Sequence, residues 1–547
     1  MTTRTLSEGL SRRGLLYLGA AGALTAASPL ALSRPAAAAG RDRIVIGLSQ
    51  EPTVFHPLQT HIEVDDGVYF NLFSSLWFVD EAGKFQPDLA AEMPTVENGG
   101  LSADGLSWKV KLRDGVKWHD GKPFTAQDVK FTLELIVNPD FQAQRRSGHD
   151  LVTDIKVVSP TEIHWRMKSP YATYASLLAW TFIVPKHILE KQDLNNPPFK
   201  NSPVGTGPFK WKSRAPGDNI TLSANKDFHR DGPFVETLII KYIPDLTVLY
   251  TQFQAGDIDY IGLQGITADK YQQAKKLPGR KVVLAPRSSV ESIALNLGLP
   301  QFKEKAVRQA LYMAMDKTAI IDAIYYGLPT PTESYLPSAS WAFSPDLPKQ
   351  TYDPDGANKL LDQAGWVRGP DGVRAKNGVR LAFRNSTTAG NQIREQAQQL
   401  LQQNWLEIGV KMTIENLPPA VMWGDNWINS KFDSAMVGIS FMVGPDPDST
   451  EYLHSKASVA LGGSGQNTTQ FSSKEVDALL EQGVKEFDIE KRKQIYKKVQ
   501  SIVRDELPYL FLFQYTYVEG TVDGLTGYKA NPNNRINCWN VNSWKWA

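Results

Sequence analysis

Residues 105–129 read GLSWKVKLRDGVKWHDGKPFTAQDV, and their patterning changes character twice. Leu106, Trp108, Val110 and Leu112 alternate with Ser107, Lys109 and Lys111, the period of two that half-buries a β-strand. Gly115 and the pair Asp120-Gly121 then supply turn chemistry. Thr125-Ala126-Gln127-Asp128 predicts a helix start, with a threonine cap and an acid in the first turn, and Val129, Leu133 and Ile136 continue it. Strand, turn and helix follow one another directly.

Outward from that stretch, Ile44–Leu48, Thr237–Ile243, Val410–Ile414 and Leu510–Phe513 read as strands. Thr247–Gly256, Lys305–Lys317, Gln392–Ile408 and two stretches within Lys474–Asp505 read as helices. Strands alternate with helices, so the expected class is α/β, with more than one sheet. The chain has 547 residues, more than one core usually supports, and its 42% hydrophobic content excludes a disordered or fibrous protein. Its 59 basic and 58 acidic residues give no charge-based reason to expect nucleic acid or acidic lipid as a partner. Cys538 is the only cysteine, which excludes an intramolecular disulfide and every multi-cysteine metal site.

Residues 1–39 read as an export address. Arg4, Arg12 and Arg13 precede an apolar run from Gly14 to Leu32, and small residues follow to Ala39. The adjacent Arg12-Arg13 and the mild Ala/Gly-rich run resemble a twin-arginine signal. Pro29 and the many small residues suit a membrane anchor poorly. No cysteine lies near the small-residue segment, so lipid attachment there is chemically impossible. The remaining chain carries 55 basic and 57 acidic residues. We expect a soluble periplasmic protein that is not a lipoprotein.

Catalytic signatures are scarce. No phosphate-binding G-x-x-x-x-G-K-[ST] and no H-E-x-x-H occurs. Gly462-Gly463-Ser464-Gly465-Gln466 lacks the last glycine of a nucleophile elbow. His56 and His61, five apart, share no helical face for a metal. Asp446-Pro447-Asp448 admits a secreted hydrolase built on the two aspartates and a histidine, but proline and loop context favour a ligand-facing turn. No metal or cofactor is expected. Trp423 and Trp427, four apart in an expected helix, and Phe441, after an expected strand, are candidate ligand-stacking rings; the alternative for each is ordinary core.

The stretch Trp108–Val129 also resembles the family 5 extracellular solute-binding proteins, receptors of ABC importers for peptides, oligosaccharides, opines and nickel. Val204–Phe209, Phe253–Asp259, Val307–Leu311, Tyr352–Asp355, Leu360–Gly365 and Ile408–Lys411 extend the resemblance over about residues 44–530. It implies a two-lobed periplasmic-binding-protein fold (type II, large cluster C) with an extra N-terminal subdomain. Lobe I would span 40–290, with the subdomain at about 81–204; lobe II would span 291–508, and 509–547 would return to lobe I. The crossings would fall near Ser289–Leu297 and Pro508–Tyr517. It further implies a monomeric binding protein, not an enzyme, that holds a peptide-like or other small organic solute and delivers it to an ABC permease. In peptide-binding members an aspartate just before a D-P-D-like motif grips the ligand's amino group. Here that position is Val443. Either Asp446 takes the role, or the ligand lacks a free amino terminus, as an opine, a modified peptide or an oligosaccharide would. The same resemblance sets His61 and Glu63 in a cleft-facing loop and Tyr515 beside the second crossing.

Overall fold

Two long antiparallel strands, Arg280–Leu295 and Tyr509–Val522, form the spine of the computed structural model, which describes residues 41–547. The export signal expected over 1–39 lies outside the described residues. One sheet continues on both sides of the spine. Towards one lobe it adds Tyr260–Ile266, Arg43–Leu48, Thr237–Tyr242, Asn219–Ala224 and Phe209–Ala215; towards the other, Ser434–Ile439, Ala382–Ser386 and Lys411–Ile414.

Arg43–Leu48 pairs in parallel with both its neighbours, and so does Ala382–Ser386. The register fixes where these strands end. Ile439 lies opposite Val290 and Ile266 opposite Val518, so the parallel strands of both lobes direct their carboxyl ends towards the middle of the spine. In open α/β sheets that is where ligands bind. At the same place the spine is irregular. Pro286 pairs with Thr516 and Val290 with Gln514, which leaves Arg287, Ser288 and Ser289 bulging against the single residue Tyr515.

Each lobe has its own core. In lobe II, alternation divides the strand's apolar residues between two faces. Leu510 and Leu512 pack with Leu311, Leu401 and Trp405, while Tyr509 and Phe511 pack with Leu480, Tyr496 and Val499. Helices therefore cover both faces. The stretch that decided the class folds as read, inside a separate subdomain core. Trp108 and Val110 of Ser107–Lys111 are buried and Lys109 and Lys111 exposed. Thr125 and Asp128 form a reciprocal cap on the helix Ala126–Val137.

Two expectations change. The strand expected at Leu510–Phe513 is one end of a much longer one, because Gln514, Thr516 and Glu519 break the apolar pattern without breaking the ladder. The helix expected around Trp423 and Trp427 is interrupted: Gly424 takes a non-helical ψ of −121° inside a widened turn, Met422–Asn426. No described helix is long and apolar enough to cross a membrane.

Candidate functional site: a charged recess at the hinge

The bulge in the spine brings together two ion pairs. Glu291, fully buried on the first spine strand, receives Arg394 Nε at 2.7 Å and Nη2 at 2.8 Å. The Tyr515 hydroxyl donates to the same carboxylate and accepts from Arg394 Nη2 at 3.0 Å. Gly438 is required beside them. A Cβ there would lie 2.7 Å from the Tyr515 ring and 3.0 Å from both Arg394 and Glu291.

The second pair joins Arg287 of the bulge to Glu63, the first residue of the helix Glu63–Leu72 in lobe I. The Arg287 guanidinium stands over the Tyr517 ring, 4.6 Å from its centroid. The Glu63 side chain remains 27% accessible, against 7% for Arg287. This accessible carboxylate beside the bulge marks the candidate solute recess. Desolvation raises the Glu63 pKa, and Arg287 opposes that rise. Tyr515 and Tyr517, half-buried on one face of the second spine strand with ring centroids 6.4 Å apart, stand beside the recess.

Past the lobe II strand Ser434–Ile439, Met442, Val443 and Gly444 are half-buried, Met442 packing on the lobe II core and Val443 on the subdomain core. Val443 and Asp446 exchange two backbone hydrogen bonds of 3.0 Å, closing a tight turn. Gly444 has φ +58°, and a Cβ on it would lie 2.8 Å from Trp180 Nε1 of the subdomain. The lobes touch beyond this turn. Thr173 Oγ1 donates to Asp446 at 3.1 Å, Tyr171 OH to Asp448 at 3.3 Å, and the Ala172 amide to Val484 O at 2.7 Å.

Of the candidates read from the sequence, the structure gathers Glu63 and Tyr515 at the recess. His61 lies behind Glu63, bridging Gln59 O and Asp66, each at 2.8 Å, and serves to hold the helix entrance. The other four are elsewhere. Asp446 is buried and chelated by Arg492 at 2.7 and 2.8 Å, so neither oxygen is open to a ligand. Phe441 is fully buried among Tyr335, Tyr452 and Tyr509. Trp427 stacks on Phe432 in the lobe II core. Trp423 is exposed and donates to Thr388 at 3.1 Å. Asp448 accepts from Thr450, while His454 pairs with Glu481, so the two aspartates have no histidine beside them. Arg287, Glu291, Arg394 and Tyr517 went unread. The available signal was a charge inside an apolar strand, Glu291 within Val290–Leu295, since a buried charge requires a partner.

Two other hollows, of about 530 and 200 Å³, lie in lobe II. The larger contains Arg374, whose donors are engaged by Asp362, Trp366 O and Ile408 O. Neither is lined by hinge residues.

The family described as bacterial extracellular solute-binding proteins, family 5 Middle, matches residues 84–461. The chain belongs to this family. It is a solute-binding protein of the ABC-importer type, not an enzyme. The oligopeptide-binding protein AppA of Bacillus subtilis is 29% identical over 512 residues, covering 92% of this chain and 91% of AppA. Its structure with a nonapeptide superposes with a TM-score of 0.78 at 28% identity, covering 92% and 99% of the two chains. NikZ of Campylobacter jejuni, solved with Ni(L-His), gives 0.80 at 27% identity, covering 92% and 100%. Heme-binding protein A of Haemophilus influenzae is 28% identical over 474 residues, covering 80% and 83%. One two-lobed scaffold thus accompanies very different cargoes.

Proposed function

We propose that the protein captures a peptide-like or other small organic solute in the hinge recess and passes it unaltered to an ABC permease. The carrying observation is the convergence of both lobes' strand ends on one bulge, beside which Glu63, Tyr515 and Tyr517 remain partly accessible. Contacts to both lobes favour the closed form by differential affinity, and no bond needs to be made or broken. Export through the twin-arginine route to the periplasm and action as a monomer complete this reading.

A second reading favours an opine, a modified peptide or an oligosaccharide. It rests on Val443, which has no charge to offer an ammonium group, and on Asp446, already chelated by Arg492. Native mass spectrometry on the exported protein tests both. We expect a copurifying or added solute to be retained and, after acid release, recovered with unchanged mass. Recovery of a cleaved or modified compound overturns the binding-protein reading.

A further inference from the structure

The two hinge ion pairs differ in how completely they are closed. Glu291 and Arg394 meet fork to fork, with Tyr515 completing the set. Glu63 and Arg287 meet through one nitrogen, Arg287 Nη2. Among the described residues, Arg287 Nε and Nη1 have no hydrogen-bond partner, although Arg287 is only 6% exposed. Neither is among the described buried side-chain atoms that lack a partner, so both keep accessible surface from which a ligand can be met. Glu63 keeps its second oxygen, and its side chain is the accessible member of the pair. A cation-accepting oxygen and an anion-accepting edge therefore lie side by side in one recess.

We propose that the Glu63–Arg287 pair receives a dipolar head group, an α-amino carboxylate whose amine, primary or secondary, meets Glu63 and whose carboxylate meets the free edge of Arg287. The charges around the pair support a head group that is neutral overall. Arg287 faces Glu63 and Glu519; Glu63 also faces Asp66 of its own helix and Arg535 of the C-terminal segment. Glu519 is surrounded by Tyr260, Tyr528 and Asn537, and Asp66 by His61 and Arg535. A lone carboxylate on Arg287 would add a negative charge beside two others, and a lone ammonium on Glu63 would leave the Arg287 edge unfilled. A zwitterion adds no net charge and fills both, which limits the penalty of burying ions. The Tyr515 hydroxyl, its proton engaged by Glu291, can only accept from the ligand, which suits a donor such as an amide or a second amine.

This inference rests on the recess being the solute site, and one experiment separates the two. The intact exported protein is incubated with four mixtures: α-amino acids including N-carboxyalkyl derivatives, their N-acetyl forms, their carboxamides, and short peptides. Retention is read by native mass spectrometry and affinities by calorimetry. The free α-amino acid mixture should supply the retained compound. Its acetylated and amidated forms should bind at least about tenfold more weakly, the ratio set by one charge-assisted hydrogen bond. Glu63→Gln should weaken the free compound without further weakening its acetylated form, and Arg287→Gln should do the same with respect to the carboxamide. A merely structural role would not split the analogues in this way, and Glu63→Asp with thermal unfolding guards against misfolding. Equal binding of free and blocked compounds, or unchanged binding by both variants, overturns the head-group proposal. Capture of the short peptides alone, insensitive to either variant, overturns it while leaving the recess as the solute site. Retention of nothing from any mixture counts against both.

Discussion

The lobe II side and the lobe I side of the hinge handle charge in opposite ways. On the lobe II side, Glu291 and Arg394 are buried, bidentate and tied by Tyr515, with Gly438 leaving them room. On the lobe I side, Glu63 and Arg287 share a single contact, and one of them can reach solvent. The first arrangement fixes the geometry of the spine. The second leaves hydrogen-bonding capacity open at the point where the two strand systems converge. Only the second can take a third partner without first being dismantled.

The largest effect should come from opening the closed pair. Arg394→Met leaves the buried Glu291 charged with only the Tyr515 hydroxyl as a donor, an error that costs about 3–5 kcal/mol. Urea unfolding should show that loss, while Glu291→Gln combined with Arg394→Met should recover most of it, since removing both charges leaves neither uncompensated. Arg287→Met should cost much less, because Glu63 can turn to water. Equal losses for the two arginine variants would erase the distinction between the pairs.

An intermediate effect should appear with acid, and on one side only. His56 and His149 are buried and His119 half-buried in lobe I and its subdomain, and desolvation is the main cause that lowers their pKa values to about 3, 3 and 4. Unfolded histidine titrates near pH 6.5. Between that value and the lowered ones the unfolded chain holds more protons, so stability is full above about pH 6.5 and falls on acidification, by up to about 1.4 kcal/mol per pH unit for each histidine. Glu63, Asp65, Asp128 and Asp259, whose pKa values burial raises, act in the opposite sense. The histidine contribution begins to be lost at about pH 6.5, so the window to follow is about pH 6.5 to 5. Hydrogen exchange in that window should show lobe I and the subdomain losing protection before lobe II, where the one histidine, His454, already faces Asp477 and Glu481. Loss of protection in lobe II first would refute the assignment.

How far this contrast could be read from the chain depends on which forces act locally. The strand and helix of residues 105–129 were legible because period and capping are written within a few residues, and Trp108, Val110 and Thr125 do what their spacing predicts. Glu63 and Tyr515 came from resemblance rather than from pattern. The closed pair was not legible, because Glu291 and Arg394 are separated by 103 positions and meet only through the sheet. Trp427 and Phe441 show the converse limit. An aromatic near an element's end has the same local signature whether it faces a ligand or a core, and the choice depends on what lies opposite, here Phe432 and Tyr509. Asp446 is legible as a turn residue but not as the partner of Arg492, which lies 46 positions away.

The smallest effect concerns how the walls meet rather than what each contains. Thr173 Oγ1 donates from the subdomain to Asp446 across the lobe boundary, while Arg492 holds the same carboxylate from within lobe II. Thr173→Val removes the first contact and leaves the second. Asp446 stays charge-compensated, so the loss should be about 1 kcal/mol and should fall on the closed form alone. That corresponds to roughly a fivefold shift of the solute-free population towards open molecules. Fluorescence transfer between labels on the two lobes should register the shift, while urea unfolding of lobe II should stay within about 0.5 kcal/mol of the parent. The reverse pattern, with unfolding weakened and the lobe distance unchanged, would make Thr173 part of a permanent core rather than of the seam that opens.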